Sequence, residues 1–260
     1  MTHKFKAAAL FTVLVASAGI VLVALPPIPQ DPEYHRFADR RTFWGIPNFW
    51  NVVSNTGFLV AATWGAAVLR RKDACEERWE RVEYGFLLGG VALTAAGSAY
   101  YHLRPDDGRL VWDRLPMTLA FMSLFAALIG ERIDARLGRY LLAPLLVMGT
   151  GSVVYWKATG DLRWYALVQF LPLAAIPAIL ALFPSGRRNG AWIWAMAGLY
   201  AVAKALELGD RRIGSVIATG GHPWKHLAAA AAVCCYTAYF RSAPTKASPK
   251  ATEVGARDLV

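Results

Sequence analysis

Long stretches of apolar residues, each broken by a short polar or basic loop, dominate the pattern along the chain. Eight such runs occupy residues 7–25, 49–69, 84–103, 115–130, 140–156, 164–183, 191–208 and 223–240. A helix of about twenty apolar residues matches the thickness of a bilayer core. The expected fold is therefore all-α: an integral-membrane bundle of seven core transmembrane helices plus one extra N-terminal span.

Composition supports that picture. Hydrophobic residues make up 56% of 260 positions and mean hydropathy is +0.33, which excludes the one or two soluble domains that the length alone would allow. A formal net charge of +10 would suggest nucleic acid in a soluble protein. Here Lys and Arg gather in the loops between runs, as the positive-inside bias produces, so no nucleic-acid partner is expected. They are more numerous in the two tails and in the loops after the second, fourth and sixth runs, which puts both termini in the cytoplasm. Trp44, Trp50, Trp156 and Trp164 fall near run ends, where interfacial aromatics collect. Cys75, Cys234 and Cys235 show neither zinc spacing nor a disulfide framework.

Residues 1–25 read as a retained transmembrane anchor rather than a signal peptide, because the apolar stretch is long and its exit offers a poor cleavage site. Residues 26–48, with Pro26, Pro27, Pro29, Pro32 and Pro47, read as an extended extramembrane connector. Residues 49–240 form the expected functional domain. Residues 241–260, basic and rich in Ser and Pro, are expected to be a disordered cytoplasmic tail.

Candidate chemistry sits at run ends. His102 closes the third run, and His222 and His226 open the last. Residues four apart share a helix face, so His222 and His226 can grip one ion, and Pro223 is tolerated at a helix start. Ser98 and His102 repeat that spacing, and Asp113 opens the fourth run. The end of an odd run and the start of an even run lie on one membrane side. Ser98, His102, Asp113, His222 and His226 therefore share one level, the non-cytoplasmic one on the charge count.

Three imidazoles plus a water are the usual catalytic zinc arrangement, and zinc lowers the pKa of that water toward ~7. Asp113 could move the water's proton or orient a ligand imidazole. Ser98 could donate to the oxyanion of a tetrahedral intermediate. Plainer readings compete: Ser98 as a small residue at a helix crossing, and Asp113 as a helix cap. Lys204, Glu207 and Asp210, three apart, form a second charged group that reads as support behind the site, a head-group contact or an internal ion pair. Glu131 and Arg132 at the far end read as a solvated pair. His3 and His35 have no evident partners.

Ser98-x3-His102, Asp113 eleven residues on, and His222-x3-His226 resemble the alkaline ceramidase family. So does Phe49-Trp50-Asn51-Val52-Val53-Ser54-Asn55, and the similarity runs over roughly residues 48–240. That family belongs to a wider seven-helix superfamily with adiponectin receptors and GPI-lipid remodelling proteins. The resemblance implies that His102, His222 and His226 bind zinc, with Ser98 and Asp113 as catalytic residues. The implied reaction splits the ceramide amide into a sphingoid base and a fatty acid.

Two departures matter. Animal members carry an acidic calcium-binding segment with a Glu just before Phe-Trp-Asn. Here that position is Asn48, and Asp31, Glu33 and Asp39 are interleaved with Arg36, Arg40 and Arg41, so calcium is not expected. The extra N-terminal span is the second. Compact loops and an Ala/Arg-rich composition suggest a bacterial member in the plasma membrane, where ceramide need not be the natural substrate. The expected function is a zinc-dependent amidohydrolase acting on a membrane lipid. The alternatives are an esterase of another acyl lipid, or a non-catalytic lipid-sensing receptor or scaffold with a structural zinc; a bis-histidine haem protein fits the residues poorly.

Overall fold

A computed structural model describes residues 2–75, 77–184 and 189–241. Among them every regular element is helical. The helices are α1 (His3–Ala24), α2 (Phe49–Val53), α3 (Thr56–Leu69), α4 (Arg78–Leu103) and α5 (Asp107–Arg132). There follow α6 (Ala135–Thr159), α7 (Arg163–Leu182), α8 (Ala191–Leu208), α9 (Asp210–Gly214) and α10 (His222–Arg241). Seven helical segments are long and apolar enough to cross a membrane, with α2 and α3 together forming one of them. The chain is an all-α, multi-pass bundle.

Local sequence sets the helix ends. Asp106 accepts from the Arg109 amide at 2.8 Å to start α5, and Asp134 accepts from Leu137 at 2.8 Å to start α6. Each carboxylate satisfies an amide that has no partner inside its helix and favours the positive end of the helix dipole. At the other end of α6, Gly160 takes φ +77°, a left-handed stop that favours glycine.

Helix α4 lies between α3 and α5, α5 packs on α6 and α7, and α10 packs on α3 and α8. The largest buried apolar cluster joins α3, α4, α8 and α10 through Ala61, Leu88, Ile193 and Tyr236. Helix α1 rests on α7 and buries only Leu10 within itself.

Three features differ from the sequence reading. The eighth run is a helix, α10, yet it falls outside the seven apolar spans; its first two turns carry His222, Lys225 and His226. The second run breaks at Ser54 and Asn55 into α2 and α3. The connector is not a loose tether. It holds a turn of 3-10 helix at Pro32–His35 and buries Phe37 and Asp39, because Phe37 packs on Tyr101, His102 and His222 while Asp39 pairs with Arg41. The tail expected to be disordered lies, after Arg241, outside the described residues.

Candidate metal centre and its cavity

His102 ends α4, while His222 and His226 occupy successive turns of α10. Their ligating nitrogens all lie within 4.8 Å of one another. The Nε2 atoms of His102 and His222 are 3.3 Å apart, and all three side chains are buried.

Neighbouring elements fix each ring. Asp210 Oδ1 accepts from the backbone amides of Gly221 (2.8 Å) and His222 (2.9 Å), capping the start of α10. Its Oδ2 accepts from the Ala38 amide at 2.8 Å, so one carboxylate ties the connector to the histidine helix. Gly220 sits against this carboxylate at φ +68°, where a side chain would be both strained and obstructed. The Asn48 side chain donates to the His102 carbonyl at 2.9 Å. Phe37 places its ring 4.7 Å from His102 and 4.4 Å from His222, edge-on or tilted.

Ser54 Oγ lies 2.8 Å from His226 Nδ1. The hydroxyl donates to the Asn51 carbonyl at 3.3 Å, so it is left to accept from Nδ1–H. That holds His226 in the tautomer whose Nε2 lone pair is free, the usual arrangement behind a metal-binding imidazole. Three converging, buried imidazoles fit a metal ion well. Neutral imidazole is a good ligand for several transition metals, and two ring nitrogens 3.3 Å apart are naturally reconciled by a shared cation.

Ser98 and Asp113 meet because α4 and α5 touch backbone to backbone. A Cβ at Gly97 would run into the Trp112 carbonyl, with the Asp113 amide close by, and this close approach puts the next residue, Ser98, on the side of α4 that faces the start of α5. The sequence reading gave Ser98 to the oxyanion; here Ser98 and Asp113 are both buried. Both residues, with His226, line a cavity of about 660 Å3 between α4, α5, α7, α8 and α10. Much of its lining is apolar, with Leu87, Val91, Phe121, Leu124 and Met196. A largely apolar cavity with a few polar groups on its lining suits a ligand with one polar group and a chain.

The expected Lys204–Glu207–Asp210 ladder divides. Helix α8 ends at Leu208 and Asp210 begins α9, so Asp210 turns toward His222 while Lys204 and Glu207 face the cavity. Glu207 pairs with Lys204 and also with Lys225, each at 2.5 Å. Tyr34 donates to the same carboxylate at 3.4 Å. Burial, with the Glu207 charge next, pushes the Tyr34 hydroxyl well above its ordinary range, so it remains a donor.

Other expectations need correction. His35 has partners: Tyr101 Oη at 2.9 Å and Asp107 at 3.0 Å. His3 packs edge-on against Phe183 at 5.0 Å. Glu131 and Arg132 are not a solvated pair: Tyr239 donates to Glu131 at 2.8 Å, and buried Arg132 donates to Tyr239. Sequence reasoning gave no role to Ser54, Asn48, Phe37 or Lys225. The only signal for Ser54 and Asn48 was their place in or beside the Phe49–Asn55 motif.

The chain matches no family model, and no curated protein matches it.

Proposed function

We propose that this protein is a zinc-dependent membrane hydrolase that cleaves the N-acyl bond of a ceramide-like lipid, giving a sphingoid base and a fatty acid. The observation that carries this reading is a cluster of three buried imidazoles, one of which, His226, lines a largely apolar cavity together with Ser98 and Asp113. A purely structural metal has no need of a carboxylate, a hydroxyl and a chain-sized pocket beside it.

His102, His222 and His226 would hold the ion. Zinc bound there supplies Lewis acidity and a water acidified toward pH 7. The acyl chain lies among Leu87, Val91 and Leu124, which exclude water from the amide. Asp113 takes a proton from the attacking water and returns it to the leaving nitrogen, so amide and water become acid and amine. Ser98 holds the Asp113 carboxylate in place for both transfers.

The test measures bound zinc and fatty-acid release from a panel of N-acyl and O-acyl lipids, for the wild type and His222→Ala. Wild type should carry about one zinc per chain and release acid from the N-acyl lipids; the variant should do neither. Zinc without acyl release in the wild type overturns the hydrolase reading. Preference for O-acyl lipids overturns the amidase, and unchanged zinc content in the variant overturns the ligand set.

A further inference from the structure

Arg114 is the residue that the proposed chemistry does not use and that is hardest to explain as packing. It is only 5% exposed, although it lies within an apolar helix. Among the described residues no carboxylate pairs with it, although its chain neighbour is Asp113. Its Nη2 donates to Gln30 Oε1 at 2.7 Å, while Nη1 has no hydrogen-bond partner. The guanidinium lies over the rings of Trp156 (4.3 Å), Tyr165 (4.6 Å) and Tyr34 (5.6 Å). Ring faces steady a cation but leave its edge N–H groups unused. A buried cation without a counter-ion is costly, and in a membrane helix it marks a ligand or ion site by default.

Arg114 lines the same cavity as Ser98 and Asp113. The other cations on that wall, Lys204 and Lys225, share the single carboxylate of Glu207. The charged lining is balanced, Arg114, Lys204 and Lys225 against Asp31, Asp113 and Glu207, but among the described residues none of these carboxylates pairs with Arg114. A planar guanidinium with a free edge is matched by two oxygens of one anionic group, carboxylate or phosphate.

We propose that Arg114 is the anion-recognition residue of this cavity, and that the protein takes a lipid bearing a carboxylate or phosphate next to its chain. This rests on the cavity being a lipid site, as the proposed function holds, but it requires neither catalysis nor bound metal. Two sources fit: an anionic head group on the substrate, or the carboxylate of the acid released from it.

The experiment measures binding of dodecanoate, dodecyl phosphate and dodecanol to the full chain in a neutral detergent, before and after chelation of metal. At least one of the two anions should bind at least about tenfold more tightly than dodecanol, a difference of about 1.4 kcal/mol. Arg114→Gln should bring the preference to within about twofold while leaving dodecanol binding unchanged. Preference for dodecyl phosphate alone assigns the site to a head group; preference for dodecanoate alone assigns it to the released acid. Equal binding of all three, or a preference that survives Arg114→Gln or disappears on chelation, overturns the proposal.

A second measurement leaves Arg114 intact. A 2-bromododecanoate seated on Arg114 puts its bromine beside Trp156, so it should quench fluorescence in the wild type and distinctly less in Trp156→Phe. Equal quenching in both overturns the placement. Failure of lipid hydrolysis with the anion preference intact would sink the hydrolase alone, and the two readings stay separable.

Discussion

Helices α1 and α10 are of similar length, 22 and 20 residues, and they sit at opposite extremes of the bundle. α1 is apolar after its first turn, rests mainly on α7, and leaves Val13, Val15, Ile20 and Val23 exposed. α10 falls short of the apolar spans, yet it buries His222, His226, Tyr236 and Tyr239 against α3 and α8. The difference shows what hydropathy measures. It reports how much of a helix can face lipid, and lipid-facing residues carry no chemistry. A helix enclosed by its neighbours can afford polar residues, because protein groups supply the hydrogen bonds that lipid cannot.

The most drastic way to break the comparison is His226→Ala, which removes one of the two proposed zinc ligands that α10 carries. Zinc affinity, read by competition with a chelator, should fall by more than about a hundredfold, beyond what loss of a supporting residue costs. Unchanged affinity would mean that α10 does not hold the ion. Gly97→Val should come next. Its Cβ meets the Trp112 backbone, which cannot move aside as a flexible side chain would. Thermal unfolding in detergent should show a loss of about 1–3 kcal/mol, with separation of Ser98 from Asp113.

Ser54→Ala sharpens the account of α10 by releasing the tautomer of His226 while keeping all three ligands. Zinc binding should weaken by about tenfold with folding retained, and no change would reduce Ser54 to a packing residue. A smaller effect belongs to the α1 side. Arg163 donates to the Leu22 and Leu25 carbonyls at the end of α1 and pairs with Asp161, which it holds down to about pKa 2. An unfolded Asp titrates near 3.9. The depressed native value means that this stabilisation is fully present above about pH 4 and is lost as pH falls toward 2. Asp161→Asn should therefore lower the unfolding midpoint at neutral pH, with the gap to wild type closing on acidification. Least of all, Val15→Leu on the exposed face of α1 should leave zinc content unaltered and shift stability by less than about 0.5 kcal/mol.

Much of the site was legible before any coordinates. His102, Asp113 and His222 stand at run ends of matching parity, and helix geometry then puts Ser98 and His226 one turn inside. Ser54 and Asn48 were not legible, since a hydroxyl or amide in a helical run looks the same whether it serves a distant histidine or its own backbone. Phe37 and Asp39 were hidden by the prolines around them, which signal an irregular path but not where it leads. The split of Lys204–Glu207 from Asp210 depended on where α8 stops, and one residue of helix length swings a side chain by about 100°.

By itself the sequence determined an all-helical bundle of apolar runs and a shared level for three histidines, a serine and an aspartate. Both follow from properties local to each run: length, hydropathy and position in the alternation of sides. Only the tertiary structure decided which helices touch. It brought α4 against α10 so that three imidazoles converge, pressed Gly97 on Trp112, folded the connector over the site, and buried Arg114 among three aromatic rings. Those outcomes depend on packing between residues far apart in the chain, 120 positions for His102 and His222 and 172 for Ser54 and His226, and no periodicity along the chain encodes them.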